Sequence, residues 1–140
     1  MLQVLVGREY SDVVTDLVLT AKNSIKVLVY DWRWYSNDPG SKIQKFNQAI
    51  ISQANAGVKV FALVNNDFLR GHIVDSKVLI KRVDTAKIMH AKMLIFDDKI
   101  LVAGSHNLTK NAFELNHEIS IVTDDVDGVA RAVRFFNALQ

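Results

Sequence analysis

Four side chains of complementary chemistry stand close together in the second half of the sequence, namely His90, Lys92, Ser105 and Asn107. An unprotonated imidazole is available as a nucleophile near neutral pH, because imidazole titrates in that range. An ammonium, a hydroxyl and a carboxamide supply hydrogen-bond donors for oxygens whose negative charge grows during a reaction. Together these groups suit the cleavage of a phosphate diester, in which the imidazole attacks phosphorus and the donors hold the phosphate oxygens.

A predicted β-hairpin brings these side chains together. The turn at 97–99 separates two apolar runs, so opposing positions in the two strands should sum to about 196. Lys92 then faces Gly104, and His90 lies near residues 105–107. Because side chains alternate along a strand, His90 and Lys92 point to the same face. A catalytic site is therefore predicted at the open end of the hairpin.

Asp97 and the remaining histidines receive other roles. Asp97 lies at the turn, on the order of 16 Å from Lys92, and is predicted to be structural rather than catalytic. His72 has no assigned role. His106 and His117 alternate away from the predicted site, which favours a groove-lining or surface position over ligand binding. Because no pair of carboxylates has the spacing of a metal-dependent phosphodiesterase, neither metal nor cofactor is expected.

The hairpin is expected to belong to a single α/β domain spanning residues 1–140. Apolar, β-branched runs alternate with two segments of helical periodicity, and this β-α-β-α-β order favours a mixed, largely parallel sheet flanked by helices. The polar segment 65–77 is irregular, with at most a short helix. The predicted strands are 2–6, 25–30, 58–64, 78–83, 92–96, 100–104 and 119–122, and the predicted helices are 10–21, 43–54 and 126–136.

Composition narrows the class of protein further. The chain has 140 residues, 49% of them hydrophobic, and a formal net charge of +2, which predicts a sizeable core and suits an anionic substrate. The absence of cysteine excludes disulfides, thiolate nucleophiles and cysteine-based metal sites. No apolar run reaches the roughly eighteen residues of a membrane span, and residues 1–9 lack a secretion-signal pattern, so a soluble cytoplasmic protein is expected.

The spacing of the candidate residues resembles the signature of the phospholipase D superfamily. The signature fixes six positions, here His90, Lys92, Asp97, Gly104, Ser105 and Asn107. At residue frequencies of roughly one in twenty, a chance match in so short a chain would occur on the order of once in 10⁵. The order of strands and helices is also similar to that family's α/β fold. The resemblance is closest to the small bacterial endonucleases that carry one motif per subunit. The residues that carry it are His90-Ala91-Lys92, Asp97, Gly104-Ser105-His106-Asn107 and the continuation Asn116-His117-Glu118.

The resemblance implies a two-step displacement in which His90 forms a phosphohistidine. A second histidine would protonate the leaving oxygen and then activate water, and the single motif implies a C2 homodimer with two copies of His90 across one site. Lys92 and Asn107 would bind the phosphate, and Ser105 would add a hydroxyl donor or cap the local turn. Glu118 matches the family's acidic residue that accepts a hydrogen bond from the nucleophile, the alternative being a solvated strand-edge carboxylate.

An aromatic segment at 31–35 is a candidate for substrate binding, because ligands of such sheets collect beyond the carboxyl ends of strands. Rings beside Arg33 would stack on bases, which makes Trp32, Arg33 and Trp34 possible groove residues. Packing of both tryptophans at a dimer seam or at the rim of the core is an equal alternative. Four cations, Lys77, Lys81, Arg82 and Lys87, could extend the groove, although a solvated surface is the simpler interpretation.

Nucleic acid, either DNA or RNA, is the predicted substrate. The sequence shows neither a basic amphipathic helix with exposed aromatics nor a lipidation signal, both of which would help an enzyme that works on a lipid surface. Two alternatives stay open, namely a phospholipid hydrolase or transferase of the same superfamily and a non-catalytic subunit that only binds nucleic acid. The intact motif places the non-catalytic subunit last.

Overall fold

A mixed sheet of seven strands runs through residues 1–83 and 86–140, the part of the chain that the computed structural model describes. The strands are β1 Leu2–Val6, β2 Ser24–Trp32, β3 Lys59–Asp67, β4 Leu79–Arg82, β5 Met93–Phe96, β6 Ile100–Gly104 and β7 Ile119–Thr123. Their order in the sheet is β1-β7-β6-β5-β2-β3-β4. The helices are α1 Glu9–Thr20, α2 Lys42–Asn55 and α3 Val126–Ala138, with a 3-10 turn at Arg70–His72 and a π-helical turn at Asn111–Leu115.

The sheet has a parallel part and an antiparallel part. β2, β3 and β4 pair in parallel, whereas the pairs that involve β1, β5, β6 and β7 are antiparallel. The predicted mixed α/β sheet is confirmed, but its parallel part is smaller than the β-α-β-α-β order suggested. The reason is that β1 pairs along its length with β7, from Leu2 opposite Thr123 to Val6 opposite Ile119, so three strands separate it from β2.

Two apolar layers pack on opposite faces of the sheet. α1 and α2 cover the first face, where Val14 and Ile50 join Val27 in one buried cluster. α3 covers part of the second face, where Phe136 shares a cluster with Leu28. β2 contributes to both layers because consecutive side chains of a strand point to opposite faces. Polar candidate residues therefore lie beyond the strand ends, outside both layers.

Local hydrogen bonds set the ends of the flanking helices. α2 begins after Ser41, whose hydroxyl accepts from the N–H of Gln44 at 3.3 Å, and it is followed by Gly57, whose φ of +109° would strain any other residue. α3 begins after Asp125, whose carboxylate accepts from the N–H of Gly128 at 2.8 Å. Both helices thus start after a short polar residue that caps the first turn, and α2 ends before a glycine.

The hairpin of β5 and β6 has the predicted register. Met93 pairs with Ala103, so opposing positions sum to 196. One step beyond the ladder, the N–H of Gly104 donates to the carbonyl of Lys92 at 3.3 Å. The register therefore continues to the residues that precede β5 and follow β6, and these include the candidate catalytic residues.

The carboxylate of Asp97 ties the hairpin turn to the start of β2. Asp97 and Asp98 have φ values of 54° and 53°, which a tight turn between twisted antiparallel strands requires. The Asp97 carboxylate accepts hydrogen bonds from the backbone N–H groups of residues 22–24 at 2.7 to 3.2 Å. Partial burial alone would raise the pKa of Asp97, but these donors and the charge of Lys99 hold it below its usual range.

We expect Asp97→Asn to lower the free energy of unfolding by about 1–3 kcal/mol at neutral pH, because charge-assisted hydrogen bonds are weakened. Since the folded-state pKa is depressed, this contribution is present above the unfolded value of about 3.9 and is lost as pH falls through the lower folded-state pKa. Urea denaturation at neutral pH and at about pH 3 should therefore show a difference that shrinks in acid.

Asp98→Asn is the matched control, because Asp98 keeps a positive φ and forms an exposed ion pair with Lys26. Its removal should cost less than about 1 kcal/mol. Equal losses for the two variants would contradict a structural role specific to Asp97.

Candidate active site

His90 and Lys92 lie together just before β5, as the alternation of side chains predicted. The Lys92 ammonium donates to the backbone carbonyl of His90 at 2.8 Å, and its Nζ is 3.0 Å from Nδ1 and 3.3 Å from Nε2 of the His90 ring. The imidazole is exposed, and one side of it faces Tyr30, with ring centroids 4.8 Å apart. A positive charge thus stands beside an accessible imidazole at one end of the sheet.

The Lys92 ammonium is partly buried and lies near an aromatic ring. Its Nζ is 5.5 Å from the centroid of the Tyr30 ring, within the range of a cation–π contact. Burial lowers the pKa of Lys92, while the negative charge of Glu118 acts in the opposite direction. The Glu118 carboxylate thus lies close enough to Lys92 to act on the charge of its ammonium.

Asn107 is held by the end of β2. Its Oδ1 accepts from the N–H of Asp31 at 3.2 Å. The next residue, Leu108, forms a parallel bridge with Trp32 and exchanges backbone hydrogen bonds of 3.0 Å with Asp31 and Arg33. Because the carboxamide oxygen is engaged, the amide NH2 of Asn107 is the end that can donate to an anion.

Ser105 and Glu118 form a hydrogen-bonded pair beside these residues. The Ser105 hydroxyl donates to Glu118 Oε1 at 2.6 Å and accepts from the N–H of Ile119 at 3.0 Å, and Asn116 Nδ2 donates to Glu118 Oε2 at 3.0 Å. A hydroxyl has one proton to donate, so Ser105 would have to rotate to bind a phosphate. The structure thus brings Glu118 to Ser105 and Asn116 rather than to His90 of the same chain.

His106 is buried, so the expectation that it lines a groove or lies on the surface is wrong. Only 1% of it is exposed, its Nδ1 lies 2.7 Å from the Ser120 hydroxyl, its Nε2 lies 2.8 Å from the Gly7 carbonyl, and its ring stacks on Tyr10 at 4.0 Å. Burial lowers the pKa of His106, against the opposing effects of the Gly7 carbonyl and of Glu118. The ring therefore anchors the segment between Ser105 and Asn107 to β7 and to the turn after β1.

Gly104 occupies the closest approach of β6 and β7. A Cβ atom there would lie 2.3 Å from the Ser120 hydroxyl and 2.4 Å from the carbonyl of Ile119, a separation that real side chains do not tolerate. The missing side chain lets Ser120 bind His106 and lets Ser105 reach Ile119. Gly104 thus controls the course of the backbone that carries Ser105 and Asn107.

The aromatic segment after β2 divides into a buried and an exposed part. Trp32 is 1% exposed and its Nε1 donates to Asn47 at 2.7 Å, so it belongs to the core and not to a groove. Trp34 is half-buried against the first apolar layer and stacks on His72, with ring centroids 5.6 Å apart. Within this segment only Arg33 is exposed, and its guanidinium carbon lies 4.2 Å from the centroid of the Phe68 ring.

Tyr30 and Phe68 are the residues that the sequence interpretation missed. Tyr30 ends the apolar run of β2 and touches both His90 and Lys92. Phe68 is a single aromatic residue in a polar segment just after β3, which is a weak signal on its own. The cations Lys77, Lys81, Arg82 and Lys87 are all exposed, and so is His117.

Two further properties concern residues 1–83 and 86–140. In this part of the chain no helix is both long and apolar enough to cross a membrane. Within the same residues, no group of three or more His, Asp or Glu side chains is placed to hold a metal ion.

The helix-flanked mixed sheet, with a histidine, a lysine and an asparagine gathered at one end, defines a phospholipase D-like domain. The chain belongs to the phospholipase D superfamily of phosphodiesterases, since the family model described as "Cardiolipin synthase, PLD-like domain" matches residues 14–140. The family and the fold class predicted from the motif and from the order of elements are confirmed.

Two solved structures share the fold, each covering 99% of this chain and 94% of its own. NucT from Helicobacter pylori is 23% identical with a TM-score of 0.81, and Nuc from Salmonella typhimurium, described as a phospholipase D family member, is 20% identical with a TM-score of 0.80. The mitochondrial cardiolipin hydrolase of Xenopus tropicalis is 24% identical over 115 residues, 78% of this chain and 50% of that protein. The chain therefore spans about half the length of this curated relative.

We expect Gly104→Ala to destabilise the protein by more than about 3 kcal/mol, because the added methyl group meets backbone and a hydroxyl rather than a flexible side chain. Gly40→Ala is the control, since a Cβ at Gly40 meets nothing within 4 Å. Thermal unfolding monitored by circular dichroism compares the two variants. Similar melting temperatures for both would contradict the close approach of β6 and β7.

Proposed function

We propose that the protein is a metal-independent nuclease, most simply an endonuclease, that cleaves phosphodiester bonds of DNA or RNA through a phosphohistidine on His90. The observation that carries the proposal is the exposed His90 imidazole with the Lys92 Nζ 3.0 Å from its Nδ1. The amide of Asn107, whose oxygen is engaged by Asp31, adds a fixed donor at the same end of the sheet. Nucleophile and charge stabilisation thus meet in one accessible place.

The proposed reaction has two displacements at phosphorus. In the first, a ring nitrogen of His90 bonds to phosphorus while the bond from phosphorus to the leaving oxygen breaks, and a second histidine donates a proton to that oxygen. In the second, the same histidine takes a proton from water, the water oxygen bonds to phosphorus, and the phosphorus–nitrogen bond breaks. Lys92 and Asn107 bind the non-bridging oxygens throughout, as charge builds on them.

The second histidine is assigned to a second copy of the chain. The sequence contains one His-x-Lys motif of this kind, so a C2 dimer supplies the missing group by placing two His90 side chains across one phosphate. Glu118 accepts hydrogen bonds from Ser105 and Asn116 of its own subunit. We therefore assign its role of orienting the nucleophile to His90 of the second copy.

An exposed apolar surface beside Glu118 supports this dimer. Val4 and Ile119 are 49% and 57% exposed, and they share a sheet face with Ile121, which pairs with Val4. Elsewhere that face is covered by α3, because Ala103, the β6 partner of Ile121, packs in the second apolar layer. Exposed apolar side chains that adjoin on one sheet face favour association with a complementary copy. We call this surface the β1–β7 face, and its exposed members are Leu2, Val4, Val6 and Ile119.

A phospholipid diester is the second candidate substrate. The matching family model is described as a cardiolipin synthase domain, and the relative from Xenopus tropicalis is a cardiolipin hydrolase. These two similarities support a lipid substrate. Nucleic acid is preferred because the exposed Arg33 and Phe68 lie near the proposed catalytic groups and suit bases and phosphates. A non-catalytic subunit would make no use of an accessible imidazole beside an ammonium.

The first test is cleavage of labelled single- and double-stranded DNA and RNA in EDTA. We expect the unmodified protein to cleave and His90→Ala to be slower by at least about 10³-fold, because the nucleophile is lost. His117→Ala, which removes an exposed histidine without an assigned role, is the matched control. Turnover of cardiolipin vesicles without cleavage of nucleic acid would move the assignment to a lipid enzyme, and activity surviving in His90→Ala would exclude His90 as nucleophile.

The shared site predicts a specific result when active and inactive subunits are mixed. After co-refolding equal amounts of unmodified and His90→Ala chains, activity should be about one quarter of that of the unmodified protein, because one defective subunit inactivates a dimer; independent subunits would retain about one half. A titration of the mixing ratio separates a quadratic from a linear dependence.

Surface variants test the same dimer by a different route. We expect Val4→Asp to sediment as an inactive monomer, since a charge on the β1–β7 face opposes association. Leu79→Asp is the control, because Leu79 is 62% exposed on β4 at the opposite edge of the sheet. A fully active monomeric Val4→Asp protein would overturn the shared site.

A further inference from the structure

Beside the proposed catalytic residues, an exposed ring and a guanidinium form a stacked pair. β2 and β3 run in parallel with Trp32 beside Asp67, so the residues that follow, Arg33 and Phe68, leave the sheet side by side. The Arg33 guanidinium carbon lies 4.2 Å above the Phe68 ring. Phe68 is nevertheless 49% exposed, although burial of a phenyl ring is strongly favourable. The pair therefore presents apolar, planar surface to solvent.

The position of this pair is fixed by its neighbours. Arg33 Nε lies 3.1 Å from both carboxylate oxygens of Asp31, and the backbone carbonyl of Arg33 accepts from Asn47 Nδ2 at 3.0 Å. The backbone N–H of Asp31 donates to Asn107. Asp31 thus touches both the pair and a proposed phosphate ligand, and the rise along a strand puts Arg33 about 7 Å further on.

We infer that Arg33 and Phe68 form a stacking platform for an unpaired base of a nucleic-acid strand whose neighbouring phosphate lies at His90 and Asn107. This inference rests on the proposed function. Ring and guanidinium faces stack on bases of any sequence, and the remaining N–H groups of Arg33 can donate hydrogen bonds to the phosphates of the strand. A base within a duplex is stacked on its neighbours and paired, so the platform selects single-stranded substrate.

The charges around the platform do not favour binding of nucleic acid by electrostatic attraction alone. Asp31 pairs with Arg33, and Asp67 forms an ion pair of 2.8 Å with Arg70, so these four charges cancel around the platform. Attraction of phosphates would be correspondingly weak and sensitive to salt. Contact with bases is the contribution that this arrangement favours, and a strand without bases should lose it.

Binding experiments in the His90→Ala background test the platform without cleavage. The probes are fluorescein-labelled oligothymidylate and an abasic strand of the same length, measured by fluorescence anisotropy. We expect Phe68→Ala to lower the ratio of the two affinities about tenfold, in line with the loss of one stacked base, and Phe68→Trp to restore it to within about threefold. Val74→Ala, at an exposed apolar residue of the same connection, is the control and should keep the ratio of the parent protein.

Two results would overturn the platform: an affinity ratio that Phe68→Ala leaves unaltered, or an equal loss in Val74→Ala. Failure of the proposed nuclease is seen separately, as absence of cleavage by the unmodified protein. Binding that depends on bases and on Phe68, without cleavage, would keep the platform and assign it to a binding protein.

Discussion

The hydrogen bonds between the Asp97 carboxylate and the start of β2 are the constraint on which the candidate site depends. They hold the turn of the β5–β6 hairpin against residues 22–24, at the end of the sheet far from His90. Because the register of a hairpin is set at its turn, fixing Asp97 also fixes which residues face each other at the open end. His90 and Lys92 are thereby placed opposite the segment that carries Asn107. A group remote from the chemistry thus determines its geometry.

Local sequence patterns predicted this hairpin, but they did not predict contacts between segments that are distant in the sequence. The turn residues and the alternation of side chains were sufficient for Lys92 and Gly104, which are related by one tight turn. The pairing of β1 with β7 was not predictable in the same way, because more than a hundred residues separate Leu2 from Thr123 and several arrangements satisfy the same pattern. The burial of Trp32 depends likewise on Asn47 of α2, which accepts its indole N–H.

Two histidines of the same motif show how environment rather than residue type assigns a role. His106 is enclosed between Ser120, Gly7 and the Tyr10 ring, so both of its nitrogens are used and its ring carries structure. His90 is exposed and touches a lysine, which leaves its ring accessible to a substrate. The alternation of side chains separated His106 from the predicted site, but it did not predict its burial, since the partners of His106 come from β7, from the turn after β1 and from α1. Once that packing is known, the division of roles follows directly.

Asp31 connects the proposed chemistry with the proposed recognition of substrate. Its backbone N–H donates to the oxygen of Asn107 and its carboxylate accepts from Arg33, so one residue near the end of β2 contacts both the proposed hydrogen-bond donor to the phosphate and the proposed stacking surface. A carboxylate close to a phosphate is ordinarily unfavourable, because like charges repel. Here the guanidinium of Arg33, whose Nε lies 3.1 Å from both carboxylate oxygens of Asp31, offsets that charge. The arrangement is consistent with a site that stacks on the base beside a phosphate and does not attract nucleic acid by charge alone, in agreement with the modest net charge of +2.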